Sequence, residues 1–392
     1  MVQHETSHTI PVAIVGGGPV GLFLAIALRH HEIECVVLEK RTDRITHSRS
    51  LGIHPVSLEL MEKVGLVDAF LKEGVKIKRG KAFAGKRKIG TISFSNCPEP
   101  YTYVLSVPQY KTETLLEKHL ADLRADCLVR GAAVQAIERQ PDSIEVTYSR
   151  NGKRHTLNCR FLVGCDGKNS TVREAAGFAF NGDSYPDTYI MGDYTDNTVF
   201  ESDAAVFLCR EGLIESFPLG NNRRRWVVKT EEFIRYVTRT AMEKRVASRI
   251  GHDIGEEKNF MLSSFGVQKY ISEPMADGRI YLAGDAAHIV SPIGGQGMNL
   301  GWLDAWDLGM RLRKLVEGDS AISADTAARN YSRKRTEVAR QAIRRAELNM
   351  ALGRKHTIPF IKNALVWLML NTPLSGLMAR IFTMRGLGRW PV

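Results

Sequence analysis

The sequence predicts an α/β fold with a Rossmann-like domain, a mixed and sheet-rich second domain, and a helical C-terminus. Three observations favour this fold. An apolar segment, a glycine-rich turn, an apolar helix and a second apolar segment follow one another over residues 11–39. Residues 178–275 hold short strand-like segments separated by turn residues, and long helix-like segments fill the chain from about residue 296.

The first forty residues predict a βαβ unit. Residues 11–15 form an apolar run that ends in glycines, as a buried parallel strand does. Residues 19–31 place apolar side chains at helical spacing, and residues 35–39 form a second buried strand. This order is typical of the start of a parallel sheet that binds a nucleotide.

Further elements follow from periodicity and turn residues. A helix is predicted at 112–123 with Thr112 as its N-cap, and another at 231–249. Strands are predicted within 133–149, 155–165, 204–209, 224–229 and 279–283. The nucleotide-binding domain is therefore expected to combine segments 1–75, 106–177 and 278–320. Segments 76–105 and 178–277 would form the substrate domain, and 321–392 the C-terminal helices.

Composition argues against a nucleic-acid-binding protein and against a metal-binding protein. The 392 residues carry a formal charge of +11, but the basic residues are spread out, so no nucleic-acid partner is predicted. The six cysteines form no CxxC pair and no histidine cluster accompanies them, so no metal site is predicted. The polar N-terminus and the lack of a ~20-residue apolar run predict a cytoplasmic protein without a signal peptide or a membrane-spanning helix.

The segment GGGPVG at residues 16–21 fits the GxGxxG pattern. Glycines there permit a tight turn and let backbone N–H groups approach a pyrophosphate at a helix N-terminus. An acid, Glu39, ends the next strand at the spacing that suits a contact with ribose hydroxyls. The predicted dinucleotide-binding residues are Gly16, Gly18, Pro19, Val20, Gly21, Glu39 and Lys40.

Two later segments also end apolar strands with polar residues. Asp166 follows the strand-like residues 155–165 in an Asp-Gly pair that, taken alone, is usually only a turn. Asp285 follows residues 279–283 and could accept hydrogen bonds from ligand hydroxyls, or could simply cap a loop. The glycine-rich residues 294–299 then open a helix and offer backbone donors.

The order GxGxxG, then Asp-Gly, then Gly-Asp resembles the para-hydroxybenzoate-hydroxylase-like superfamily of FAD-dependent monooxygenases. The stretches VPQYKTETLLEKHL (107–120), FLVGCDGKNSTVREAAG (161–177) and YLAGDAAHIVSPIGGQGMNLGWLDAWDL (281–308) are similar to its phenol-hydroxylase and polyketide-hydroxylase branch. The resemblance spans residues 11–305. Many members of that branch carry a thioredoxin-like C-terminal domain, which is not expected within these 392 residues.

The resemblance implies an enzyme that uses NAD(P)H and O2 to hydroxylate a small aromatic substrate through a C4a-hydroperoxyflavin. NAD(P)H would bind transiently, because no second GxGxxG is present. The glycine loop and Glu39 would hold the ADP half of FAD. The other implied cofactor contacts are Arg49, Gln109, Asp166, Asp285, Pro292, Gly295, Gln296, Gly297, Met298 and Asn299.

No catalytic residue is assigned from the sequence; His54, His288 and Tyr101 are candidates by residue type only. An FAD-dependent reductase of the geranylgeranyl-reductase type remains an alternative. A flavin-dependent halogenase is disfavoured, because Trp302 and Trp306 do not match the WxWxIP element of that class. The apolar residues 359–387 favour packed helices, and leave open a non-catalytic FAD-binding module with weak membrane association. The oligomeric state stays open.

Overall fold

The computed structural model describes residues 9–44, 50–255, 260–318, 322–354 and 359–387. The strands in these ranges are β1 Ile10–Val15, β2 Cys35–Glu39, β3 Gly52–Ile53, β4 Val75–Ile77, β5 Arg79–Ala84, β6 Arg87–Ser93, β7 Val104–Ser106, β8 Leu128–Arg130, β9 Ala133–Arg139, β10 Ile144–Arg150, β11 Lys153–Gly164, β12 Ala179–Thr195, β13 Ala204–Cys209, β14 Gly212–Leu219, β15 Arg223–Thr230, β16 Met261–Glu273, β17 Ala276–Asp277, β18 Ile280–Leu282 and β19 His288–Ile289.

The α-helices are α1 Pro19–His30, α2 Pro55–Lys63, α3 Val67–Glu73, α4 Gln109–Leu123, α5 Thr171–Ala175, α6 Arg239–Ile250, α7 Gln296–Glu317, α8 Ala324–Gly353, α9 Pro359–Asn371 and α10 Leu374–Phe382. Two short 3₁₀ helices cover Phe94–Asn96 and Gly284–Ala286. The α/β fold class predicted from the sequence is thereby confirmed.

The first sheet has the order β17-β18-β11-β1-β2-β8, in which all strands but β17 are parallel, and β10 pairs with β11 and in turn with β9. Ile14 on β1 lies opposite Val37 on one side and Val163 on the other, in the middle of the apolar core. Helix α1 packs on β1 and β2, and α4 and α7 pack against α1. Because β1, β2, β11 and β18 run parallel, the loops after their carboxyl ends lie along one edge.

The second sheet has the order β19-β16-β12-β15-β14-β13-β5-β6. One of its faces packs against α6, where Met242, Val246 and Ile250 join a cluster with Trp226. The other face is covered by Ile293, which lies in the loop before α7, together with residues of α8 and α9. The loop before α7 therefore packs against the second sheet through Ile293 and into the main core through Val290.

Most predicted elements are confirmed, and two helix starts are wrong. The fourth helix begins at Gln109 rather than at Thr112, because Pro108 provides the extended residue before it; Thr112 is buried inside the helix. The helix expected at 231–249 begins only at Arg239, where the Thr238 side chain accepts a hydrogen bond from the Ala241 N–H. The strands expected within 133–149 are confirmed as β9 and β10, which are joined by a turn.

The C-terminal helices are short and bent relative to each other. Among the described helices, none is by itself both long and apolar enough to cross a membrane. Asn363–Asn371 and Leu374–Phe382 meet the criterion only as a pair, with a bend of 98° between them. Both helices pack against β6, and this pair leaves several large apolar side chains exposed: Leu365, Trp367, Leu368, Leu374 and Leu377.

Candidate cofactor and substrate site

The glycine loop between β1 and α1 is shaped by close backbone contacts. Gly16 has a φ of +106°, and a Cβ added there would lie 2.4 Å from the carbonyl oxygen of Cys165. A Cβ added at Gly21 would lie 2.0 Å from the carbonyl oxygen of Gly16. At Gly18, by contrast, an added Cβ would meet no atom within 4 Å. The loop is therefore tightly packed on its inner side and open at Gly18, where α1 begins without a side-chain cap.

Glu39 lies at the carboxyl end of β2 and is almost fully buried. Its Oε2 accepts a hydrogen bond from the Gly17 N–H at 2.7 Å, and its Oε1 accepts two from Arg41 at 2.9 Å. Burial alone would raise the pKa of Glu39, but the hydrogen bonds from Arg41 and Gly17 lower it below its usual value. The carboxylate therefore stays charged beside the glycine loop and keeps lone pairs for further donors.

Asp166 follows β11 and caps α5. Its Oδ1 accepts a hydrogen bond from the Ser170 hydroxyl at 2.6 Å, and its Oδ2 accepts one from the Val172 N–H at 3.3 Å. Burial raises its pKa, although these hydrogen bonds oppose the change. Nearby, the buried Arg173 donates to the carbonyl oxygens of Lys168 and Ala286. Arg173 thereby joins the Asp-Gly segment to the Gly-Asp segment.

Asp285 lies in the 3₁₀ helix Gly284–Ala286, just after β18. Its carboxylate has no hydrogen-bond or ion-pair partner among the described residues. Solvent reaches the side chain, yet burial by the surrounding protein raises the pKa of Asp285, with His288 partly offsetting this. Such an environment is a recess rather than an open surface, and an unpaired acid in a recess can accept hydrogen bonds from ligand hydroxyls.

A buried network of charged side chains holds the Gly-Asp segment in place. The sequence analysis did not predict this network. Asp304 on α7 accepts hydrogen bonds from Arg335 Nε at 2.5 Å and from the Gly284 N–H at 3.0 Å, and lies 2.5 Å from His288 Nε2. All three side chains are about 1% exposed or less. Burial alone would raise the pKa of Asp304, but His288 and Arg335 lower it. The network ties α7 and α8 to the start of the Gly-Asp segment.

The loop before α7 is fixed by an asparagine and a histidine. The Asn299 amide donates to the carbonyl oxygens of Gly52 and Gly295 at 2.8 Å and accepts from the His54 N–H at 2.8 Å. His54 Nε2 lies 3.0 Å from the carbonyl oxygen of Gly294. Because of burial, the pKa of His54 falls to about 4, so its ring is neutral at neutral pH. These contacts hold the glycine-rich turn against β3.

Gln296 is the first residue of α7 and is completely buried, yet neither its Oε1 nor its Nε2 has a hydrogen-bond partner in the described part of the chain. An unpaired buried amide costs about 1–3 kcal/mol per group. A ligand edge that carries both donors and acceptors would remove this cost. The pyrimidine ring of a flavin has such an edge, so Gln296 and Asp285 fit the ring and the ribityl chain of FAD.

The glycine loop, the Gly-Asp segment and the start of α7 meet around Val20. A Cβ added at Gly284 would lie 2.9 Å from the Val20 side chain, and one added at Gly301 would lie 2.5 Å from it. Trp302 Nε1 donates to the carbonyl oxygen of Pro19 at 3.0 Å. The structure therefore brings the predicted motifs together at one edge of the first sheet.

The remaining predicted residues vary in their surroundings. Lys40 and Pro292 are exposed, and Gln109 donates to Glu113 Oε1 at 2.9 Å. Arg49 lies outside the described residues. Gly297 and Met298 are half-buried in the first turn of α7. Their contacts with a cofactor stay predictions.

The three residues considered as catalytic candidates are held by other protein groups. His288 contacts Asp304, and His54 contacts the Gly294 carbonyl oxygen. Tyr101 lies in the main core, where burial and Glu62 raise its pKa to about 12. The described Nδ1 atoms of His54 and His288 have no partner, but both are enclosed by protein.

Glu215 on β14 is a second residue that sequence reasoning missed. Its side chain is 9% exposed, and burial raises its pKa to about 7. It lies on the face of the second sheet that Ile293 covers. The sequence did carry a signal, because the segment GLIESFPL alternates and puts Glu215 on the same side as Leu213 and Phe217.

Comparisons with known proteins identify the family of this chain. The family described as "FAD binding domain" matches residues 9–346. Rifampicin monooxygenase from Streptomyces venezuelae is 36% identical over 314 residues, covering 78% of this chain and 64% of the relative. Anhydrotetracycline monooxygenase from Streptomyces rimosus is 34% identical over 330 residues, covering 78% and 63%. The chain thus spans less than two thirds of the length of these relatives.

Solved structures share the whole fold. The anhydrotetracycline hydroxylase from Streptomyces rimosus superposes with a TM-score of 0.82 at 29% identity, covering 98% of this chain and 78% of that chain. The p-nitrophenol 4-monooxygenase from Pseudomonas putida has a TM-score of 0.88 at 21% identity, covering 97% and 99%, and this likeness shows the fold. The resemblance inferred from the sequence motifs is confirmed, and the chain belongs to the FAD binding domain family.

Proposed function

We propose that the protein is an FAD-dependent monooxygenase that uses NAD(P)H and O2 to hydroxylate an aromatic substrate. The proposal rests on residues 291–299, because this segment takes part in both the cofactor site and the covered face of the second sheet. Gln296 offers buried, unpaired polar atoms at the start of α7, while Ile293, three residues earlier, packs into the covered apolar face of the second sheet. This loop therefore joins a cofactor site to an apolar compartment that suits an aromatic ring.

The residues that would hold FAD are those that the sequence motifs and the resemblance imply, and the geometry of the glycine loop, Glu39, Asp285 and Gln296 supports part of this set. Gly16, Gly18, Pro19, Val20 and Gly21 would receive the pyrophosphate, with Glu39 and Lys40 near the adenosine ribose. Arg49, Gln109, Asp166 and Asp285 would contact the diphosphate and ribityl parts. Pro292, Gly295, Gln296, Gly297, Met298 and Asn299 would lie beside the isoalloxazine ring. Bound FAD would accept a hydride from NAD(P)H and activate O2.

The chain itself would orient the substrate and exclude water. The apolar side chains on the covered face of the second sheet pack with Ile293, Met350 and Val366 in one buried cluster, which would keep water away from a substrate bound there. Keeping water away from a reactive oxygen donor favours transfer to the substrate over release of hydrogen peroxide. The rigid clamp of Asn299 on Gly52 and Gly295 would keep the loop in one position during that transfer.

The printed names of the relatives favour monooxygenation over the reductase alternative. Both curated relatives named above are monooxygenases, acting on rifampicin and on anhydrotetracycline. A reductase of the geranylgeranyl-reductase type would turn over without O2. The two proposals therefore differ in one measurable requirement.

The test is a screen for substrate-stimulated NAD(P)H oxidation over phenols, quinolones and polyketides, with product masses measured under ¹⁸O2. The proposal expects purified protein to release FAD on denaturation and a product that gains one atom of ¹⁸O. A poor substrate analogue should still stimulate NAD(P)H oxidation but release hydrogen peroxide. Turnover without O2, or product oxygen that comes from water, would establish a different reaction.

Finer assignments remain proposals as well. We propose a cytoplasmic location, which the six free cysteines support, because thiols stay reduced there.

Weak attachment to a lipid surface through α9 and α10 is supported only by their exposed apolar side chains. Flotation with liposomes tests it, and protein that stays with the soluble fraction would reject it. The domain boundaries expected from the sequence also remain a proposal.

A further inference from the structure

Glu215 lies in the middle of the covered face of the second sheet. It is opposite Val206 on β13 and Val227 on β15, and Val227 is opposite Met191 on β12. Its neighbour Ile214 points to the other face, where it packs against α6. Glu215 is thus the acid in a cross-strand row of apolar side chains.

Three elements cover this row. Ile293 from the loop before α7, Met350 from α8, and Val366 with Leu370 from α9 form one apolar cluster with Val206, Val227 and Met191. The Ser291 hydroxyl contacts the Met350 sulfur at 3.3 Å, which joins the loop to α8. Glu215 therefore lies under the same loop that begins at the cofactor site.

Glu215 has no hydrogen-bond or ion-pair partner among the side chains that the structure describes. The Tyr189 hydroxyl, on the same face of β12, is also buried without a described partner. Other acids in or next to the second sheet behave differently: the buried Asp203, just before β13, pairs with Arg79 and Lys81, and the half-buried Asp193 pairs with Arg225. Two unpaired polar groups that share one apolar compartment indicate a ligand with a polar substituent.

The charged groups around this compartment are engaged with one another. Lys229 on β15 and Arg354 after α8 both pair with Asp187 on β12. Glu347 on α8 pairs with Lys269 and accepts from the Tyr185 hydroxyl. The described side chains of α9, residues 363–371, include no ionisable group, and neither does the loop 291–295. Among these charged groups, Glu215 is the one that has no described ion pair or hydrogen bond.

We propose that Glu215 receives the hydroxyl group of a phenolic substrate and takes its proton. This inference rests on the proposed aromatic hydroxylation and deepens it. In the step, the phenol O–H bond breaks and an O–H bond to the Glu215 carboxylate forms. The electron pair stays on the phenol oxygen and spreads into the ring, so the site keeps a single negative charge and no electron is transferred. The ring carbon that accepts oxygen becomes more electron-rich.

Two further observations suit this role. Burial raises the pKa of Glu215 to about 7, which leaves a mixture of both protonation states at neutral pH, as a general base requires. The Tyr189 hydroxyl could donate to the substrate oxygen and hold it near Glu215. Glu215 would then favour aromatic substrates with a free hydroxyl over their ethers.

The test compares binding of 2-naphthol and 2-methoxynaphthalene to the FAD-loaded enzyme, followed by flavin fluorescence from about pH 6 to about pH 8.5. The ratio of their affinities should rise at least about fivefold in favour of 2-naphthol as Glu215 ionises, because a charged acceptor strengthens the hydrogen bond and an ether leaves it unpaired. The ratio should stay flat in Glu215→Gln, which cannot take a proton. Glu215→Asp should keep part of the rise.

Glu211→Gln is the matched control, because Glu211 is an exposed acid in the turn just before β14. This variant should behave like the wild type. A flat ratio in the wild type, a rise that persists in Glu215→Gln, or no binding of either probe would overturn the inference. A Glu215-dependent rise in an enzyme that transfers no ¹⁸O from O2 would keep the inference and reject the proposed monooxygenation.

Discussion

At the cofactor edge of the first sheet, the buried acids Asp304 and Glu39 are paired within the protein, whereas on the covered face of the second sheet Glu215 has no described partner. Asp304 is held by Arg335 and His288, and Glu39 by Gly17 and Arg41. Glu215, equally enclosed, has apolar neighbours. The paired acids fix the backbone that would hold a large cofactor, and the unpaired acid suits a substrate that comes and goes.

The largest effect is expected from breaking the pairing at Asp304. Asp304→Asn leaves Arg335 buried without its counter-charge, so the free energy of unfolding should fall by about 3–5 kcal/mol. FAD should also be lost from purified protein, because the Gly284 N–H is no longer held by a carboxylate. Urea denaturation and FAD content measure both effects.

Asp307→Asn is the control on the same helix. Asp307 pairs with Arg311 and Lys334 at the partly exposed surface, so its loss should cost about 0–1 kcal/mol. Equal costs for the two variants would show that the buried network does not fix the cofactor edge.

At Glu215, by contrast, removing the charge is expected to raise the free energy of unfolding. Its pKa is raised in the folded protein from 4.5 to about 7, so the folded state binds protons more tightly than the unfolded state between these values. Stability is therefore lost as pH rises through this range. Glu215→Gln should be more stable than the wild type at about pH 8, and this gain should be about 2–3 kcal/mol larger than at about pH 5.

Urea denaturation at the two pH values measures this gain. Glu211→Gln should show the same small difference at both, since its carboxylate is exposed. A Glu215→Gln variant that is less stable than the wild type at about pH 8 would mean that the carboxylate has a stabilising partner, which contradicts the comparison.

A smaller effect is expected at Asp285, the acid of the cofactor edge that has no described partner. Asp285→Ala should weaken FAD binding by about 1–3 kcal/mol, because ribityl hydroxyls lose an acceptor. Asp285→Asn, which keeps an acceptor, should lose less. Ultrafiltration of the holoenzyme gives the FAD dissociation constant, and an unchanged value in a folded Asp285→Ala protein would remove Asp285 from the site.

The same difference between the cofactor edge and the second sheet decides what the sequence could predict. The cofactor edge is built from local motifs, in which a strand, a glycine turn and a helix follow within a few residues, so Gly16, Glu39 and Asp285 stood out. Asp304 and Arg335 lie 31 positions apart on two helices, and their pairing depends on how those helices pack. Likewise, Glu215 is significant only because β13, β15 and the loop before α7 surround it, and strand order is not visible in local periodicity.

The predictions of secondary structure also succeeded where a local pattern sets the element. Buried strands such as β1, β2 and β13 were predicted closely, because an apolar run fixes them. The start of α6 at Arg239 was missed because Thr238, a weak signal among the polar residues 231–238, sets it through a cap.

The contrast between the paired acids of the cofactor edge and the unpaired Glu215 is tested most directly by titrating Glu215 with infrared difference spectroscopy. The carbonyl band of a protonated carboxylic acid, present in the wild type and absent in Glu215→Gln, should disappear with a midpoint near pH 7, the value to which burial raises the Glu215 pKa. Binding of 2-naphthol should change this band, whereas 2-methoxynaphthalene should only shift its midpoint upward. A midpoint at the ordinary glutamate pKa, or a band that both probes leave unchanged, would contradict the view of Glu215 as an unpaired acid reserved for a substrate.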